Sequence, residues 1–273
     1  MLKKLAKVTG MYKEYLRNKI FSKAYFNVIP ENPLHDDLFL VSFPKAGVTW
    51  LTFIMANVHL KMSGINQKIT FFNIDDFIPD IQQTRFLKET ILPFPGHRVI
   101  KSHAEYNSFY KKIIYLIRDP RDVMVSYYWF LKKLSAFSDD LSGLIHSQQY
   151  GIEAWCRHVQ GWVEKPPASD KIDFIRYEDM KLKPLKVLTR IYTLLGYNIP
   201  DAVLEESIEL SSFENMKKLE AYYNHGGDFR FPEFEFVRKG KSGGYKSEIS
   251  PMDLEVINQT ASRWLKLFGY NEE

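Results

Sequence analysis

The sequence predicts an α/β fold: a single domain with a central parallel sheet flanked by helices, and a P-loop-like phosphate-binding loop after the first strand. Three observations carry this expectation. Short apolar runs bounded by turn or cap residues recur at Leu38–Ser42, Arg98–Ser102, Ile113–Arg118 and Lys171–Arg176, and such runs suit strands buried on both faces. Helical patterns lie between and after them, which implies βαβ units and parallel neighbours. A glycine-containing loop joins the first run to the first helix, and in such sheets ligands gather beyond the C-terminal ends of the strands.

Taken in order, the chain opens on Leu2, Leu5, Val8, Tyr12, Tyr15 and Leu16 at helical spacing. Lys3, Lys4, Lys7, Lys13, Arg17, Lys19 and Lys23 make this segment basic, with no apolar core or cleavage site of a signal peptide. It reads as a helix packed on its own domain, with contact to an anionic membrane as the alternative. The expected layout is one domain over residues 1–273, with 1–30 a helical extension and 31–273 the core. Helices are expected at Trp50–Lys61 after the first strand and Asp122–Leu134 after the third. Pro184–Leu195 follows the fourth, with Gly196 as C-cap. Pro251–Phe268 closes the chain, with Ser250 as N-cap and Pro251 at the first helical position.

Composition narrows the function classes. An apolar fraction of 45% and a charged fraction of 26% are ordinary for a soluble globular protein. A net charge of +4 does not mark a nucleic-acid binder, so no nucleic acid is expected as partner. The longest uncharged apolar stretch, between Lys45 and Lys61, is too short and too polar for a transmembrane segment. The one cysteine, Cys156, excludes an internal disulfide and any multi-cysteine metal site, and reads as a half-buried helix residue. A reducing cytoplasm is compatible with this, and the expected location is cytoplasmic.

The chemistry concentrates after the strands. Phe43-Pro44-Lys45-Ala46-Gly47-Val48-Thr49-Trp50 leads from strand to helix, an anion cradle of free N–H groups with a lysine charge and a threonine hydroxyl added. It is not a Walker A loop: the lysine precedes the glycine and no Ser/Thr follows it to hold magnesium. A tight turn with an incidental lysine is the plainer alternative. This segment resembles the 5′-phosphosulfate loop of the cytosolic-type sulfotransferases, Tyr-Pro-Lys-Ser-Gly-Thr-Thr-Trp. Lys45, Gly47, Thr49 and Trp50 match, while Ala46 and Val48 replace a serine and a threonine.

Further segments resemble the same family in the same order. Arg118-Asp119-Pro120-Arg121-Asp122, continuing to Ser126, is similar to its 3′-phosphate segment, although a surface salt-bridge cluster would look the same in isolation. Lys101-Ser102-His103 stands where the family has Lys-Thr-His with a catalytic histidine; a lone histidine is otherwise more often structural. Arg176-Tyr177-Glu178-Asp179 and Ser211-Ser212-Phe213-Glu214-Asn215-Met216 resemble the adenine-side segments. Arg238-Lys239-Gly240-Lys241-Ser242-Gly243-Gly244-Tyr245-Lys246 resembles a second 3′-phosphate loop, with Gly244 and Tyr245 in place of Asp-Trp.

The resemblance implies 3′-phosphoadenosine 5′-phosphosulfate as donor, 3′-phosphoadenosine 5′-phosphate as product, no metal, and in-line transfer to a small-molecule acceptor. It implies that Lys45, Ala46, Gly47, Val48 and Thr49 hold the 5′-phosphosulfate. Arg118, Ser126, Arg238, Lys239 and Gly240 would hold the 3′-phosphate, and Trp50, Tyr177, Ser211, Phe213 and Met216 the adenine side. His103 would be the base, with Lys45 and Lys101 stabilising the sulfuryl and bridging oxygens. Glu105, Phe43 and Asp76 are candidate acceptor residues, and Glu105 with Asp75 and Asp76 points to a polar or cationic acceptor. The segment Lys246–Glu255 only partly matches the family's dimer motif, because Ser250 and Pro251 replace Thr-Val; a monomer or a dimer built elsewhere is expected. The competing readings are a nucleotide or small-molecule kinase, a catalytically inactive nucleotide-binding module, and a membrane-anchored glycan sulfotransferase.

Overall fold

The computed structural model describes residues 30–82, 98–165, 171–225, 240 and 242–270. The expected N-terminal helix, Arg238 and Lys239 lie outside the described residues. Among these residues no helix is long and apolar enough to cross a membrane.

The described chain divides into two compact units, one of residues 26–118 and 161–216, the other built on 119–160 and 217–273. The first carries the sheet. β1 (Leu38–Val41), β2 (Val99–Ser102), β3 (Lys112–Ile117) and β4 (Lys171–Arg176) pair in the order β2-β1-β3-β4, all parallel. The four expected strands are these. β1 is buried along its whole length, as its unbroken apolar run requires of a central parallel strand. The chain leaves β1 for one neighbour, β2, and then returns to the other, β3. That reversal opens a crevice beyond the ends of β1 and β3.

α1 (Val48–Met62) follows the loop after β1, and every residue from Leu51 to Leu60 is buried. A helix apolar on all sides suits only an interior position. It packs on α8 (Asp201–Leu210), and Lys61 pairs with Glu206. α2 (Ile74–Phe77) is a single turn that carries Asp75 and Asp76. Beyond it Pro79–Gln82 runs beside β2 as a short extension of the sheet. Lys101 N–H donates to the Pro79 carbonyl at 2.9 Å, and Ile81 N–H to the Lys101 carbonyl at 3.1 Å. α6 (Tyr177–Leu182) and α7 (Pro184–Leu194) follow β4, and Gly196 takes a left-handed φ of 85° just past the helix, as expected of a C-cap glycine.

The second unit holds α3 (Pro120–Lys133), α4 (Leu141–Ile145) and α10 (Pro251–Leu267). α5 (Ile152–Glu164) and α9 (Phe213–His225) each run from one unit into the other. Asp119 caps α3 by accepting from Arg121 N–H at 2.9 Å. Ser250 caps α10 as expected, accepting from Asp253 N–H at 3.1 Å, with Pro251 in the first turn. Asp253 in turn accepts from Ser142 at 2.8 Å, so the segment that departs from the dimer motif is tied into its own unit. Cys156 is half-buried in α5, and burial pushes its thiol up to about 12, so it is inert at neutral pH.

Candidate active site

The loop between β1 and α1 is bent by two left-handed residues. Lys45 has φ of 69° and Gly47 has φ of 100°. A non-glycine residue held there costs about 1–3 kcal/mol and marks functional sites. Gly47 is irreplaceable for a second reason: a Cβ on it would lie 2.5 Å from Cδ2 of Tyr177. Tyr177, the first residue of α6, thus lies directly against the phosphate loop. Its ring is covered by the Arg118 guanidinium, 4.5 Å from the centroid, and meets Trp50 edge-on at 5.9 Å. Arg118 Nη1 also donates to the Lys45 carbonyl at 3.3 Å. Lys45, Gly47, Trp50, Arg118 and Tyr177 therefore form one assembly at the ends of β1 and β3. Thr49 is half-buried in the first turn of α1, whereas Ala46 and Val48 are buried and offer only their main chain.

Trp50 is fixed from behind. Its Nε1–H donates to the Ser211 carbonyl at 2.9 Å, and Asn57 donates to the Ser211 hydroxyl at 3.0 Å. Ser211 is thus wholly buried and supports Trp50 from the interior. Phe213 is half-buried and Met216 buried at the start of α9.

At the end of β2, His103 is 7% exposed. Its Nδ1 lies 2.9 Å from the Ser42 carbonyl oxygen. A carbonyl only accepts, so Nδ1 carries the proton and Nε2 keeps the lone pair. Burial, reinforced by the Lys101 and Lys45 charges, lowers the imidazole from 6.5 to about 4. His103 is therefore neutral at physiological pH. Its backbone is also held: His103 N–H donates to Gln82 Oε1 at 2.9 Å, and the next residue's carbonyl, Ala104, accepts from Trp162 Nε1 at 3.1 Å.

Lys101, two residues before His103, carries an ion pair that its motif does not announce. Its ammonium pairs with Asp80 at 2.8 Å, with side-chain exposures of 17% and 6%. Burial works against the ammonium, but the Asp80 carboxylate outweighs it and raises the lysine. Burial likewise disfavours the Asp80 anion, and Lys101 and His103 overcome it and lower that carboxyl. Asp75, exposed on α2, is pushed up to about 7 by the protein crowding it and by the Asp80 charge, with Lys101 opposing. Asp76 beside it is exposed, as is Glu105, which makes no side-chain hydrogen bond or ion pair among the described residues. Phe43 is closed into the core at 2% exposure.

The second unit, by itself, holds the segments around Arg121 and Tyr245. Asp122 accepts from Gly243 N–H at 2.8 Å and Tyr245 N–H at 3.1 Å, and Arg121 covers the Tyr245 ring at 4.7 Å. Tyr245 thus finds partners despite standing where the family has a tryptophan. Ser126 is half-buried on α3, and its hydroxyl has no protein partner among the described residues. Gly240 is half-buried with φ of 58°.

Four supporting residues escaped the sequence reading: Ser42, Asn57, Asp80 and Gln82. Asp80 and Gln82 lie in a stretch to which no element was assigned from the sequence. The buried Ile78 and Ile81 flanking Pro79 were the available signal of a short extended segment.

The sulfotransferase domain profile matches residues 35–269. Sulfotransferase 2A6 of Rattus norvegicus is 29% identical over 238 residues, covering 82% of each chain. Cytosolic sulfotransferase 17 of Arabidopsis thaliana is 28% identical, covering 93% of this chain and 80% of the relative. Among solved structures, mouse sulfotransferase SULT7A1 complexed with PAP shares the fold at a TM-score of 0.62 and 21% identity, covering 92% of this chain and 89% of that one. Retinol dehydratase in complex with androsterone and PAP has a TM-score of 0.61 at 21% identity, covering 89% and 83%. A match across nearly the whole core, over the loop, strand ends and helices just described, has one meaning: the chain belongs to the sulfotransferase domain family and is a sulfotransferase.

Proposed function

We propose that the enzyme transfers a sulfuryl group from 3′-phosphoadenosine 5′-phosphosulfate to a hydroxyl or amine of a small acceptor, with His103 as general base. The observation that carries this is the assembly of Lys45, Gly47, Arg118 and Tyr177: a left-handed glycine, a lysine and a pinned guanidinium at the ends of adjacent strands. The cradle fits an adenosine nucleotide bearing two anionic groups, and related folds were solved with PAP. When bound, the donor supplies an electrophilic sulfuryl group on a phosphate leaving group.

The chain's own residues do the rest. Lys45 and the N–H groups of the loop neutralise charge on the departing phosphate. Arg118, preorganised on the Tyr177 ring, reads the 3′-phosphate, as Ser126, Arg238, Lys239 and Gly240 do by their motifs. Trp50, Tyr177, Phe213 and Met216 enclose the base, with Ser211 behind Trp50. His103 Nε2 takes the acceptor proton, since Nδ1 is occupied at Ser42. Lys101 supplies positive charge beside the base. Glu105 and Asp76, both exposed, favour a polar or cationic acceptor. The relatives named cytosolic support a cytoplasmic location.

Arg118→Ala tests the donor assignment. It weakens 3′-phosphoadenosine 5′-phosphate by about 1.5–3 kcal/mol through loss of a charge-assisted contact, and adenosine 5′-phosphate far less. Calorimetry showing equal weakening of both nucleotides would remove Arg118 from the 3′-phosphate.

A further inference from the structure

We propose that Asp80 is a positioning residue for sulfuryl transfer: through its ion pair it fixes the Lys101 ammonium beside His103, and through Gln82 it seats the His103 main chain. The inference rests on His103 and Lys101 having the roles just given.

The contacts form a closed circuit. Asp80 Oδ2 accepts from Lys101 Nζ at 2.8 Å, and Asp80 Oδ1 accepts from Gln82 N–H at 2.9 Å. The Gln82 side chain then accepts from His103 N–H at 2.9 Å. Main-chain pairing locks the register, since Lys101 N–H and C=O both bond across to Pro79 and Ile81. One carboxylate on the flanking segment thus addresses two residues of Lys101-Ser102-His103.

The electrostatics give the arrangement a purpose. An ammonium this enclosed sheds its proton unless a carboxylate answers it. Asp80 supplies that carboxylate from the flanking segment, and Asp75 on α2 adds a second, weaker one. The Lys45 ammonium from the loop and the neutral His103 imidazole at the strand end complete the titratable groups around the pair. With Lys101 cationic, His103 stays neutral and its lone pair is available, and positive charge stands ready where negative charge develops. Without Asp80 the lysine loses its hydrogen-bonded partner and keeps only the weaker pull of Asp75.

The test reads the lysine directly as well as the rate. In protein labelled with 13Cε-lysine, the Lys101 signal is assigned by its loss in Lys101→Met, and its pH titration is followed in wild type, Asp80→Asn and Asp80→Glu. The expected result is that the wild-type lysine holds its proton above the ordinary lysine range, that Asp80→Asn shifts the transition clearly downward, and that Asp80→Glu restores the wild-type curve. In parallel, Asp80→Asn lowers kcat about tenfold or more and adds a basic limb to its pH profile, while in a Lys101→Met background the same substitution adds nothing. Should Asp80→Asn fold poorly, Asp80→Glu and the charge-free Asp80→Asn/Lys101→Met double variant supply the comparison. A wild-type titration curve in Asp80→Asn, or fully additive losses in kcat, overturns the proposal. If Lys101→Met itself keeps wild-type kcat, the role of Lys101 in the reaction fails, and with it the link from Asp80 to catalysis. Loss on Lys101→Met with an unchanged titration in Asp80→Asn instead removes only Asp80.

Discussion

His103→Ala lowers kcat by about two to four orders of magnitude while leaving the affinity for 3′-phosphoadenosine 5′-phosphate within about threefold of wild type. The split follows from where the imidazole stands. It closes the end of β2, bonded through Nδ1 to Ser42 and through its main chain to Gln82, whereas the cradle is built from Lys45, Gly47, Arg118 and Tyr177. Removing it takes away a proton acceptor and leaves the donor cradle standing. The pH profile sharpens the expectation. With the imidazole lowered to about 4, the acid limb of kcat falls well below the ordinary histidine value of 6.5. The sign for stability agrees: between these two values the unfolded chain binds the proton and the folded chain does not. The His103 contribution is therefore complete above pH 6.5 and is lost as pH falls toward 4. Single-turnover rates and calorimetry on the same variant check both halves, and retention of more than about a tenth of kcat would remove His103 as the base.

Gly47→Ala is the second large effect, and it falls on donor binding. The new methyl group meets Tyr177 Cδ2 at 2.5 Å and Cε2 at 2.7 Å on a backbone already at φ of 100°. The ring cannot remain, and the Arg118 guanidinium resting on it moves too. Affinity for 3′-phosphoadenosine 5′-phosphate drops by about a hundredfold or more, and stability by about 1–3 kcal/mol. Gly64→Ala is the matched control. Its φ is 66° and nothing lies within 4 Å of the added carbon, so it carries backbone strain alone. Nucleotide titrations of the two variants separate the effects: equal affinities would mean that Tyr177 does not build the cradle.

Much of this was legible because it is written locally. The strands are short runs rich in apolar residues, unbroken in β1 and interspersed with charge in β4, and the phosphate loop, the Arg118 turn and the Ser250 cap are contiguous motifs whose residue types state their chemistry. What stayed hidden depends on contacts distant in sequence. Nothing around Asn57 announces that it holds Ser211 behind Trp50, 154 residues away. Lys101 reads from its motif as a cation facing the sulfuryl group. Only the pairing of Pro79–Gln82 with β2, 21 residues downstream, brings Asp80 against it. The helices α2 and α4 span 4 and 5 residues, too few for a hydrophobic period to register. Tyr245 carried the opposite lesson: a departure from the family motif is absorbed by Arg121 and Asp122 in the same unit.

The central claim is that this cradle and this base move a sulfuryl group from a doubly phosphorylated adenosine donor. The most direct measurement is transfer of 35S from labelled 3′-phosphoadenosine 5′-phosphosulfate to a panel of phenols, alcohols, amines and sugars, with γ-labelled ATP run in parallel. The account predicts labelled sulfated products from at least one acceptor class, lost in His103→Ala, and no label moved from ATP. Label moved from ATP, or 35S transfer that persists in His103→Ala at the wild-type rate, would contradict it.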